Sequence, residues 1–116
     1  MATYTKNKLS GSTNGKQIKV AATATPGTLI HTAVSGTSSW DEVWIYVTNS
    51  STAAVEITIE WGEATAPDGN NKVTIPPKAG LYVVVPGLIL QNSLEVRAFA
   101  ATTNVLLVSG YVNGIT

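Results

Sequence analysis

The sequence contains no cysteine. Disulfides, thiolate metal sites and cysteine nucleophiles are therefore excluded. There is one histidine, His31, and charged residues make up only 12% of the chain. That is about half the usual share. Lys plus Arg equals Asp plus Glu, seven each. A neutral chain lacks the basic footprint of a nucleic-acid binder. No apolar run reaches the ~18 residues needed to span a bilayer, so no membrane partner is expected. The opening MATYTKNKLSGS has no apolar stretch of the kind an export signal carries.

What remains is rich in strand formers. Hydrophobic residues make up 44% of the 116 residues, which excludes a disordered chain. A chain of this length buries about two-thirds of its unfolded surface, enough for one core and too little for two domains. Thirteen Val, eight Ile and sixteen Thr give a β-branched signature. Ten Gly and five Pro suit many turns.

The spacing predicts strands at 17–22, 28–34, 42–48, 55–61, 72–75, 81–85, 94–99 and 104–112. Val55, Ile57, Ile59 and Trp61 alternate with Glu56, Thr58 and Glu60, the pattern of a half-buried antiparallel strand. Pro26-Gly27, Pro76-Pro77 and Pro86-Gly87 read as turns between strands. No window shows a helical period. The expected fold is all-β: a single antiparallel sandwich, jelly-roll-like, with about eight strands. Residues 1–15 read as an extended N-terminal arm and residues 16–116 as the sandwich domain.

Charge is unevenly placed. Lys6, Lys8, Lys16 and Lys19 precede Asp41, the first acid. The arm thus reads as a basic segment that docks on an acidic neighbour. Tyr4 and Leu9 would be its anchors, and Lys6 and Lys8 would sit near carboxylates.

Catalysis needs a nucleophile with a base, paired acids, or a metal. His31 sits inside a strand pattern and reads as a surface or interface residue. Glu56 and Glu60 lie about 13 Å apart on an extended strand, too far to share an ion. The loop 63–71 lacks the ligand spacing of a calcium site. Asn49-Ser50-Ser51 reads as a strand-end turn. No catalytic residue, cofactor or metal is assigned, and an enzyme is not expected.

Two strands are apolar on both faces, 81–85 and 104–112. A small antiparallel sheet usually keeps one wet face. Tyr82, Val84, Leu106, Val108 and Val112 are therefore expected to be covered by another subunit or by the arm. Trp44 and Tyr46 point away from Val43 and Ile45. They read as an interface, or alternatively as a sugar-stacking platform.

The order of segments carries a resemblance. Tyr46-Val47-Thr48-Asn49-Ser50-Ser51-Thr52-Ala53-Ala54 leads into the alternating Val55–Ile59. The link Ile75-Pro76-Pro77-Lys78-Ala79-Gly80 follows. Leu88–Val96 leads to Ala98, and the chain closes with Asn104–Val112. This resembles small β-sandwich virion proteins of tailed bacteriophages: capsid decoration (cement) proteins and similar head, neck or tail accessories. It covers roughly residues 26–114 and rests on strands and turns rather than a site motif. It implies a structural role in the virion, assembly as a homo-oligomer with a trimer favoured, and the major capsid protein or another virion protein as partner. Such a protein is made in the host cytoplasm and resides on the capsid. The alternatives are a neck, tail or fibre component, or a carbohydrate-binding module for host attachment.

Overall fold

Apolar alternation builds the central strands. The computed structural model describes residues 2–116 and contains nine strands there. They are β1 (Tyr4–Lys8), β2 (Ile18–Lys19), β3 (Thr28–Thr32), β4 (Trp40–Asn49), β5 (Val55–Trp61), β6 (Asn70–Ile75), β7 (Tyr82–Leu90), β8 (Glu95–Ala100) and β9 (Leu106–Ile115). The first sheet runs β1-β9-β4-β7, with β2 also paired to β9. The second runs β3-β8-β5-β6. Every pairing is antiparallel.

The pairing is nested. β2 joins β9, β3 joins β8, β4 joins β7 and β5 joins β6. This is a long hairpin folded over on itself so that successive strand pairs alternate between the sheets, the jelly-roll arrangement. The sandwich expected from the turn spacing is therefore the fold, with β1 added beside β2.

The core lies between the sheets. Val43, Ile45 and Val47 of β4 and Leu106, Val108 and Val112 of β9 face Ile57 and Ile59 of β5 and Val96, Ala98 and Ala100 of β8. All are buried. Burying side chains of this size contributes about 1.5–3 kcal/mol each for the larger ones.

Two elements differ from the sequence reading. Pro86-Gly87 is not a turn: β7 runs through it to Leu90. Proline is tolerated there because β7 is an edge strand, where a missing N–H leaves no ladder bond unmade on the open side. Register shifts at Val43/Trp44 and Ile45/Tyr46 of β4 absorb the irregularity. Gly87 takes φ +83°, a conformation most side chains resist.

The second difference is the arm. Of residues 1–15, residue 1 lies outside the described residues. Tyr4–Lys8 pairs with Tyr111–Ile115 of the same chain, and Leu9 is 1% exposed within the chain's own core. The arm is thus the ninth strand of the sandwich. Its five residues are all exposed, so the strand lacks the buried apolar alternation by which a sequence reveals a strand.

Candidate functional site

The outward side chains of the first sheet form an ordered array. β4 turns Glu42, Trp44 and Tyr46 outward, because Val43, Ile45 and Val47 occupy the core side. β9 places Tyr111 opposite Trp44 and Asn113 opposite Glu42. The Trp44 and Tyr111 rings lie 6.1 Å apart between centroids and within 10° of parallel. The Lys6 Nζ sits 4.4 Å from the Tyr111 ring centroid. Such a cation–aromatic contact contributes about 0.5–1 kcal/mol at an exposed site. Lys6 therefore meets an aromatic face, where the sequence reading placed it near a carboxylate.

Gly87 completes the array. A Cβ there would lie 2.9 Å from Cζ2 of the Trp44 indole. The indole thus lies against bare backbone of β7. Its Nε1 donates to Glu42 Oε1 at 2.9 Å, and Asn113 Nδ2 donates to the same oxygen at 2.8 Å.

These two hydrogen bonds, that from Trp44 first, hold the Glu42 carboxyl below its usual pKa, against a slight opposing desolvation. They favour the charged form. Their contribution is complete above the unfolded-state pKa and is lost as pH falls through the lower folded-state value. Wild type should therefore exceed Glu42→Gln in stability most near neutrality, with the gap closing in acid. Urea midpoints for both proteins from about pH 6 to about pH 3 check this. A gap that stays constant over that range would refute it.

The edge strand β7 carries a second surface. Leu81, Tyr82, Val83, Leu88 and Ile89 are exposed, and Leu81 and Ile89 are 59% and 57% exposed. No charged residue occurs from Ala79 to Leu94. Among the described residues, six of the eight large apolar side chains found exposed lie within this uncharged segment, Leu94 being the sixth. A clustered apolar patch differs from scattered exposed residues in that it marks association surfaces.

The residues singled out by sequence separate into three groups. Trp44, Tyr46, Tyr4, Lys6 and Lys8 lie on the outward side of the first sheet, and Tyr82 lies at its β7 edge. Val84 is half-buried against the core. Leu9, Leu106, Val108 and Val112 are at most 1% exposed inside the chain's own core. This corrects the expectation that another subunit or the arm covers the three β9 residues, and that Leu9 anchors on a neighbouring chain. β9 is apolar on both faces, so its phase could not be read from the sequence. The outward set is Leu107, Ser109, Tyr111 and Asn113. Tyr111, Asn113, Glu42, Leu81 just before β7 and the exposed β7 residues Val83, Leu88 and Ile89 were missed. The uncharged run 79–94 was the available signal for the β7 group.

Two clefts indent the sandwich. The first, about 460 Å³, is lined in part by Pro26, Glu60, Glu63, Glu95 and Arg97. Glu60 is 1% exposed, although alternation placed it on the face opposite Ile57 and Ile59 of a half-buried strand. The segment 25–27 crosses over it: Oε2 accepts from the Thr25 hydroxyl at 2.6 Å and Oε1 from the Gly27 N–H at 2.7 Å. Glu95 accepts from Arg97 Nε at 3.0 Å. These carboxylates are held by neighbours in a structural staple.

The second cleft, about 500 Å³, reaches His31 and Asp41. His31 is 5% exposed and bonded through Nε2 to Asp41 Oδ2 at 2.7 Å. It is a buried link between the sheets, where the sequence suggested a surface or interface residue. Asn49 is also buried. Its Nδ2 donates to the Ala53 and Ile75 carbonyls, and its Oδ1 caps Ser51, which makes it the strand-end turn. Among the described residues no group of three or more His, Asp or Glu could hold a metal ion. None of the elements is a helix long and apolar enough to cross a membrane. No protein-family model matches the chain, and no curated protein or solved structure matches it.

Proposed function

We propose that the chain is a structural subunit of a tailed-phage virion, of the capsid decoration kind, that acts by association. The observation that carries the reading is the apolar β7 edge. Leu81, Tyr82, Val83, Leu88 and Ile89 are solvent-exposed beside a row of unpaired main-chain groups. Natural edge strands are commonly protected by charge, and this one has none between residues 79 and 94. Its occupant in this reading is a second copy of the chain. Identical uncharged edges meet without like-charge repulsion, whereas a charged partner would find nothing to pair with. Pro86 breaks the donor row, so side-chain burial supplies most of the contact. The virion setting rests on the order of strands and turns and on the jelly-roll fold, which capsid and lectin domains both use.

The sugar-binding alternative draws on the Trp44–Tyr111 pair. A sugar stacks on an open ring face, and Lys6 sits over that of Tyr111. The association reading therefore uses the exposed surface more fully.

Sedimentation velocity at micromolar concentration tests self-association. Wild type should sediment as an oligomer. Val83→Lys should sediment as a monomer with an unchanged far-ultraviolet spectrum, because Val83 is 48% exposed and a surface lysine leaves the fold intact. A monomeric wild type would overturn self-association. Fractionated virions then test location: the protein should stay with DNA-filled heads, and recovery with tails would favour the neck or tail component.

A further inference from the structure

We infer that His31 holds the N-terminal strand on the sandwich through an acid-sensitive latch. β1 is bound along one edge only and buries none of its own residues. Its ladder to β9 is extended by Thr3 and Thr116, and the three residues after it tie it to the second sheet. Leu9 is buried, Ser10 N–H donates to His31 Nδ1 at 3.0 Å, and Ser10 Oγ accepts from Thr32 N–H at 2.7 Å. Gly11 N–H donates to the Ile30 carbonyl at 2.9 Å. The latch joins an N-terminal segment of the first sheet to β3 of the second.

The imidazole is the part of the latch that can change. A main-chain N–H can only donate, so His31 Nδ1 must present its lone pair to Ser10. The ring hydrogen then lies on Nε2, directed at Asp41 Oδ2, which also accepts from Val34 N–H at 3.1 Å. A second proton has one place to go, Nδ1. There two N–H groups would face each other across 3.0 Å. Flipping the ring does not relieve this, since both nitrogens of the cation are donors. Ser10 must move away, and Leu9 and β1 move with it.

The charged surroundings are few. Asp41 on β4 contacts the ring, and Lys8 on β1 lines the same cleft. On β8, Val96 lies opposite His31, and the nearby Glu95 is engaged by Arg97. β9 contributes Gly114 to the cleft. Asp41 draws a proton toward the ring, while the Ser10 N–H occupies the only site for it. The cleft gives water a path to the pair. The latched form excludes the cation, so acid depopulates it. Release would bare the edge of β9 from Tyr111 to Ile115.

Amide exchange by NMR, expressed as protection relative to intrinsic rates, tests the latch at about pH 7.5 and about pH 5. Protection of β1, Ser10 and Gly11 should fall at least about tenfold at the lower pH, while β4 and β5 keep theirs. In His31→Gln the protection of β1 should no longer depend on pH. Imidazole nitrogen shifts of wild type keep the test independent of that variant's folding. They should show the Nε2–H form at the higher pH and the cation where β1 opens. A cationic His31 with β1 still protected, a neutral His31 at the lower pH, or a pH response that persists in His31→Gln would each overturn the latch.

Discussion

Val108→Asp is expected to unfold the chain. Val108 is fully buried on β9, opposite Ile18 of β2 and Val47 of β4. Nothing there can pair with a carboxylate, so the variant must bury a charge or take up a proton. Either way the penalty is several kcal/mol, against a total stability of about 5–15 kcal/mol for a domain of this kind. Far-ultraviolet circular dichroism should show a lost β signal, or denaturant titration a stability lower by at least about 3 kcal/mol. The contrast with Val83→Lys is the informative part. Both sites are valines on strands of the first sheet, yet one change should destroy the fold and the other only association. A folded Val108→Asp protein with an unaltered midpoint would show that β9 does not face the core as described.

Glu60→Ala should carry the next largest effect. The carboxylate of Glu60 is the acceptor for both the Thr25 hydroxyl and the Gly27 N–H. Removing it strands the buried Gly27 main-chain donor, while the exposed Thr25 hydroxyl keeps the Ala64 carbonyl at 3.4 Å. Hydrogen bonds to charged groups contribute about 1.5–3 kcal/mol, and a buried donor left unmade adds to the loss, so about 2–4 kcal/mol is expected. Glu60→Gln should be milder. Its amide oxygen can keep the Gly27 N–H, and the Thr25 hydroxyl can turn to accept from the new NH₂. Urea midpoints of the three proteins give the ranking. An alanine variant within about 0.5 kcal/mol of wild type would remove the staple from the account.

These two residues also show what the sequence could and could not disclose. β4 and β5 were legible because alternation over seven or more residues leaves little freedom of phase. Val108 was legible as a strand residue but not as an inward one, since β9 offers apolar side chains to both faces. Glu60 alternates with Ile57, Ile59 and Trp61 as a solvated residue would. It is buried by a segment more than thirty positions away, and local pattern carries no trace of that contact. His31 and Asp41 meet for the same reason, through the apposition of two sheets. Of the outward array, Trp44 and Tyr46 followed from alternation. Their neighbours Tyr111, Asn113 and Lys6 depend on which strands pair, and that is a property of topology.

Nested pairing also sets the order in which loops can close. Glu60 and Asn70 of β5 and β6 meet across a short connection, whereas Ile18 and Val108 are ninety residues apart along the chain. Loop-closure entropy rises with the logarithm of the free length, about 0.6 kcal/mol per doubling. Once the inner pair is formed, each successive pair spans only the few unbound residues beyond it, and the long-range closures become short ones. Assembly from the middle of the chain outward is therefore the route of least entropy loss. Opening from the ends reverses it, so β1 and β2 are the elements a neighbouring molecule can capture without disturbing the centre.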